Sequence, residues 1–131
     1  MKISQSLSKE TLGDIVDALI ENSFDSVMVT EAGNGASTNP IVFVNEAFTA
    51  LTGYTAEDVM GKSPTMLQGS DTDPAVIERL REDMGAGRSF EGETTNYRKD
   101  GTPFTMHWRV APLEQAAEQA KYHIAVQRRE S

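Results

Sequence analysis

Asn96-Tyr97-Arg98-Lys99-Asp100-Gly101 is a charged turn with an alternating run on either side. Before it, Phe90 to Tyr97 reads as a strand; after it, Thr102 to Pro112 reads as another. Asp100-Gly101 is the pair a tight hairpin uses, because glycine accepts a positive φ without a Cβ clash. Side chains alternate along a strand, so Phe90, Gly92, Thr94 and Asn96 point one way on the first. On the second, Phe104, Met106, Trp108 and Val110 share a face, while Thr105, His107, Arg109 and Ala111 take the other. One face is thus mostly apolar with a single amide. That is the pattern of either a core or a ligand pocket.

Upstream, Ser8 to Asn22 places Leu12, Ile15, Val16, Leu19 and Ile20 on one helical stripe that has to bury somewhere. Ser26 to Thr30 and Pro40 to Asn45 read as strands, separated by a loop with two glycines. Asn45 caps a short helix, Glu46 to Thr52, stopped by Gly53. Thr55 opens another turn, closed by Gly61, and Pro64 to Gln68 forms an irregular one. Asp73-Pro74 is a strong helix start, and Val76, Ile77, Leu80 and Met84 supply its stripe. After the hairpin, a polar loop (Glu114 to Gln119) leads to a last strand, Lys121 to Gln127. The order is that of an α+β fold: an antiparallel sheet with its helices grouped between the two halves.

Composition excludes several function classes. A chain of 131 residues is one domain with a real core. The net charge of −8 argues against nucleic acid and against anionic membrane surfaces, both of which reward Lys and Arg. With no cysteine, disulfides, thiolate metal sites and thiol chemistry are out. No apolar run approaches the ~20 residues a spanning helix needs, and the N-terminus carries no secretory signal, so the expected compartment is the cytoplasm. No His, Asp and Glu cluster has metal-ligand spacing and no Ser/His/Asp set is placed by motif; the chain reads as non-catalytic, without a metal.

The motifs resemble those of the PAS domains, and among them the light-oxygen-voltage (LOV) type. The carriers are Asn39 to Phe48 (NPIVFVNEAF), Leu51-Thr52-Gly53-Tyr54, Gly61 to Gly69 (GKSPTMLQG), Asn96 to Gly101 (NYRKDG), Phe104, Pro112 and Val126-Gln127, in order and at proper spacing. The resemblance implies a PAS fold over residues 24–128: a five-stranded antiparallel sheet with helices on one face, enclosing a pocket. Residues 1–23 would be a polar segment and an amphipathic flanking helix, and 129–131 a short tail.

What the resemblance implies for a flavin divides residue by residue. Pro64 stands where LOV domains have their photoreactive cysteine, so no covalent adduct can form. Ser63 and Thr65 replace an Asn and a phosphate-binding Arg, and Met106 replaces the second of two asparagines that read the flavin's pyrimidine edge. Gln68 is retained, Arg81 matches a second phosphate-contacting Arg, and Asn96 matches the first asparagine. Trp108 stands where a Phe often lines the ring, and Gln127 matches the glutamine beside flavin N5. One lost charge-assisted contact costs about 1.5–3 kcal/mol, roughly tenfold to a hundredfold in affinity. A buried polar edge facing Met106 costs another ~1–3 kcal/mol. Two alternatives stay open: a non-covalent FMN or other flavin, or no ligand, with Met28, Met66, Met106 and Trp108 filling the interior.

Asn96 and Gln127 face the concave side by strand phase, as pocket hydrogen-bonders or as satisfied core amides. His123 shares the phase of Gln127; a sheet-edge hydrogen bond is expected for it, against a place in the pocket. His107 falls on the outer face without a role. Arg79 and Arg81, among Glu78, Glu82 and Asp83, read as a solvated helix face with local pairing, a reading that for Arg81 outweighs the phosphate role unless a flavin is bound. Tyr122, Ile124 and Val126 line the outer face, which wants a cover. The leading helix supplies it, either from the same chain or from a second copy; the expectation is a homodimer. The reading as a whole is a PAS sensory domain that responds through its pocket and signals through the outer face to an effector.

Overall fold

The computed structural model describes residues 8–21, 24–32, 39–113 and 121–130. The elements are α1 (Lys9–Glu21), β1 (Ser26–Glu31), β2 (Ile41–Val44), α2 (Glu46–Thr52), α3 (Ala56–Val59), a 3-10 turn (Pro64–Leu67), α4 (Pro74–Gly85), β3 (Phe90–Tyr97), β4 (Pro103–Leu113) and β5 (Tyr122–Arg129). They match the expected order. The loops expected after β1 and between β4 and β5 lie largely outside the described residues.

Each short helix begins at a side-chain cap. Asn45 accepts from the Phe48 amide, and Gly53 at φ +80° ends α2 with its N–H on Thr49. Thr55 and Asp58 form a reciprocal capping box on α3. Ser63 caps the Pro64 turn, and Asp73 caps α4 ahead of Pro74. The Asp73 amide also donates to Thr94 Oγ1 at 2.7 Å, which fixes the start of α4 on β3.

The hairpin is looser by one residue than the Asp100-Gly101 pair suggests. Gly101 N–H donates to Arg98 O and Arg98 N–H to Thr102 O, both at 2.9 Å, with Gly101 at φ +88°. This is a type I turn followed by a left-handed bulge glycine. Asp100 favours it by accepting from both the amide and the hydroxyl of Thr102. The tip is docked: Lys99 N–H donates to Thr52 O, Arg98 Nε to Leu51 O, and Lys99 Nζ sits 3.0 Å from Asp58.

The five strands run β2-β1-β5-β4-β3, with every pair antiparallel. The last strand in sequence is therefore the middle one in space. α2 lies against β1 and β5, α3 against β2 and α4 against β3. Between the helices and the sheet sits one core, which includes Ile41, Phe48, Val59, Leu67, Phe90, Trp108 and Val110. The opposite face carries Val126 and Leu113, both more than a third exposed. On α1, Ile15, Val16 and Leu19 are exposed, Leu19 at 68%, and Ile20 is half-buried. No part of the described chain covers those three exposed residues.

Candidate functional site

The inner face is built in rows set by strand register. Asn96 stands beside Phe104, and Thr94 beside Met106. Gly92, Trp108, Gln127 and Ser26 form the next row, and Phe90, Val110, Ala125, Met28 and Val44 the one below. Pro112, His123, Thr30 and Ile41 close the face. The expected phase of β3, β4 and β5 thus holds along the whole sheet.

Three of the expected site residues come together there. Asn96, Trp108 and Gln127 are buried, at 4%, 5% and 1% exposure. Gln127 Oε1 accepts from Ser26 Oγ at 2.8 Å, so β5 and its neighbour β1 share a buried polar pair. Trp108 packs on Phe90 with ring centroids 5.1 Å apart and the planes inclined by 51°. Asn96 Nδ2 donates only weakly, to Met106 Sδ at 3.5 Å, and its Oδ1 is buried with no partner. A buried carbonyl oxygen left unpaired costs ~1–3 kcal/mol, so this one calls for an N–H or O–H donor.

The remaining expected residues stand elsewhere. Gln68 is half-buried at the end of the 3-10 turn, its backbone N–H on Thr65 O. Arg81 points to solvent and pairs with Glu78 at 3.0 Å on the same helix. Ser63 and Thr65 bond each other, hydroxyl to hydroxyl, at 3.0 Å around Pro64. Arg79, which shares the exposed side of α4, does more than pair locally. It donates to Glu91 O at 2.8 Å and lies 4.8 Å over the Phe90 ring, clasping the start of β3.

His123 departs from expectation. β5 is a central strand, so no sheet edge is within its reach; it faces inward, 6% exposed, and neither ring nitrogen has a hydrogen-bond partner. Burial holds its pKa below the ordinary imidazole value. His107, given no role from the sequence, stands on the outer face between two carboxylates, Glu91 at 2.8 Å and Glu130 at 3.1 Å. The hydrogen bond from His107 and the charge of Arg109 pull the Glu91 pKa down. Asp58 is held at about 2, chiefly by the Thr55 amide and then by Lys99.

Asn45 also exceeds its sequence reading as a helix cap. Its Oδ1 accepts from Val27 N–H and Phe48 N–H, and its Nδ2 donates to Ile20 O and Asp25 O. One buried amide thereby joins the end of α1, β1 and the start of α2. The spacing of the cap was legible. The two donor bonds depend on a chain segment about 20 residues upstream, which no local pattern announces.

A five-stranded antiparallel sheet with short helices over one face and polar residues buried beneath them defines a sensory domain of the PAS kind. The chain belongs to the PAS domain family, which it matches over residues 25–128. It is 46% identical over 74 residues to blue-light-activated histidine kinase 1 of Erythrobacter litoralis, covering 56% of this chain and 21% of that protein. It is 40% identical over 76 residues to phototropin-1A of Oryza sativa subsp. japonica, covering 58% of this chain and 8% of that one. The chain therefore spans about a fifth or less of either relative's length. A light-oxygen-voltage domain whose mechanism was studied with a flavin analogue superposes with a TM-score of 0.79 at 30% identity, over 90% of this chain and 85% of the other. Within the PAS family this chain is of the LOV-like kind, without a cysteine anywhere in its sequence. Among the described residues, no helix is long and apolar enough to cross a membrane.

Proposed function

We propose that this sensory domain holds a flavin, FMN or a close relative, non-covalently against the inner sheet face, and signals through contact between two copies of the chain. The observation that carries the reading is Asn96 Oδ1, buried and without a partner on the face that also presents Trp108 and Gln127. A ring N–H is the kind of donor that oxygen lacks. Asn96 and Gln127 would hold the flavin's polar edges and Trp108 would line its ring. Gln68 and Arg81 would serve its side chain and phosphate, Arg81 by exchanging Glu78 for the anion. When bound, the flavin supplies blue-light absorption and reversible reduction; with Pro64 at the cysteine position, no bond to the protein forms.

The chain's own residues account for the response. Gln127 meets Ser26 through its carbonyl oxygen. Rotating that amide would turn an N–H toward the hydroxyl and oblige it to reverse its donor role. Ser26 precedes Val27, whose N–H rests on Asn45, and Asn45 donates to the last turn of α1 at Ile20. A change at the inner face thus has a hydrogen-bonded route to the flanking helix. A ligand state shifts the population only to the extent that it favours one arrangement. The domain is non-catalytic and acts from the cytoplasm on an effector, with residues 24–128 as the sensor core and 1–23 as the dimerising flank.

One observation favours a second reading. Met106 stands 3% exposed against Asn96, as it would if the interior were filled by the protein's own side chains and the domain served only to dock. An absorption spectrum of the purified protein, before and after refolding with FMN, separates the two. Structured blue bands that travel with the protein on gel filtration support the flavin. Their absence after refolding leaves the docking module.

A further inference from the structure

Outside the inner face, His107 makes two contacts that only its charged form can complete. His107 Nε2 lies 2.8 Å from Glu91 Oε2 and its Nδ1 3.1 Å from Glu130 Oε1. A neutral imidazole has one N–H and can donate to one carboxylate; only the imidazolium donates to both. We infer that His107 is a proton-operated clasp that holds the chain leaving β5 against the outer face of the sheet when charged, and releases it when neutral.

The setting gives the clasp its direction. Glu91 belongs to β3, His107 to β4, and Glu130 follows the last residue of β5, so one ring ties three neighbours side by side. The Glu130 N–H donates to Thr105 O at 2.9 Å, extending the β4–β5 ladder one step beyond Arg129. Glu91 is also held by Arg109 at 3.3 Å, a partner that keeps its charge at any working pH. A neutral ring keeps one N–H, which stays on the shorter contact, Glu91 at 2.8 Å, so the contact to Glu130 at 3.1 Å loses its donor. The other charged groups aligned with the ring are Glu93 on β3 and Arg128 on β5, its register partners, and Arg128 is occupied by Asp25 at 2.8 Å. Among the described residues no group of three or more His, Asp or Glu is placed to hold a metal ion. Histidine is the side chain whose charge changes across about pH 5–8, which makes the clasp responsive under ordinary conditions.

The test follows two signals in the full chain by NMR across that range: the His107 ring shifts and the amide-exchange protection factor of Glu130. Protection, unlike the raw exchange rate, is already corrected for base catalysis. The expected result is a roughly two- to fivefold fall in Glu130 protection as the His107 ring loses its proton, the size an exposed pair supports. In His107→Gln the Glu130 protection becomes independent of pH. A Glu130 amide whose protection is the same across that range, or that keeps its pH dependence in His107→Gln, overturns the clasp. The variant is a surface change, and the wild-type pH series alone already decides.

Discussion

His123 links stability to pH through its burial on the inner face. His123 is buried without a partner, so folding disfavours its proton and its pKa is depressed. Between the folded value and the unfolded one of about 6.5, the unfolded chain binds more protons. Stability is then complete above that upper value and is lost as pH falls through the window toward the folded pKa. The carboxylates with lowered pKa, Asp58, Glu91 and Asp100, follow the same sign lower down. Their contribution stands above the unfolded values of 3.8 and 4.5 and is lost as pH falls below them, for Asp58 down to about 2. We expect urea midpoints to drop between about pH 7 and pH 5.5 in a His107→Gln background, where the outer histidine adds nothing. His123→Phe in that background should flatten the slope and raise stability at neutral pH, since two orphaned nitrogens are replaced by a ring of similar shape. A slope that survives His123→Phe would assign the linkage to another group.

Among the elements, α1 and α2 meet at a single amide, and its two ends can be separated. Asn45→Ala removes all four of its hydrogen bonds and leaves buried backbone groups unpaired, a loss of about 2–4 kcal/mol. Asn45→Asp keeps the acceptor for Val27 and Phe48 but cannot donate to Ile20 O or Asp25 O. The expected outcome is a fold with α2 amides still protected from exchange and α1 amides released. Equal protection in both helices would mean that α1 is held by other contacts. The hairpin shows the same logic from the opposite side. Its turn residues are chosen locally, yet its placement rests on Leu51 and Thr52 at the end of α2.

At the level of the whole molecule, exposed apolar surface lies on both α1 and the outer sheet face. Ile15, Val16, Leu19, Leu113 and Val126 are each more than a third exposed, which is costly for a lone chain and useful for a pair. If two copies share these surfaces, Leu19→Glu should turn a sedimenting dimer into a monomer without altering the far-ultraviolet spectrum. A wild-type chain that sediments as a monomer at high concentration would end the proposal.

Read alone, the amino-acid sequence determined what depends on neighbours in the chain. Asn45, Thr55 and Asp73 are caps by residue type and spacing; Gly53 and Gly101 sit where only a positive φ serves; and period-two alternation assigned Asn96, Trp108 and Gln127 to one face. Only the tertiary structure decided what depends on residues far apart. The insertion of β5 between β1 and β4 brings Ser26 to Gln127 across 101 positions and denies His123 a sheet edge. The same packing seats His107 between carboxylates from two other segments, and leaves Ile15, Val16 and Leu19 of α1 exposed. Dihedral preference and side-chain period act over a few residues and are written in the chain; pairing across a sheet is set by which buried surfaces fit, and no local pattern records it.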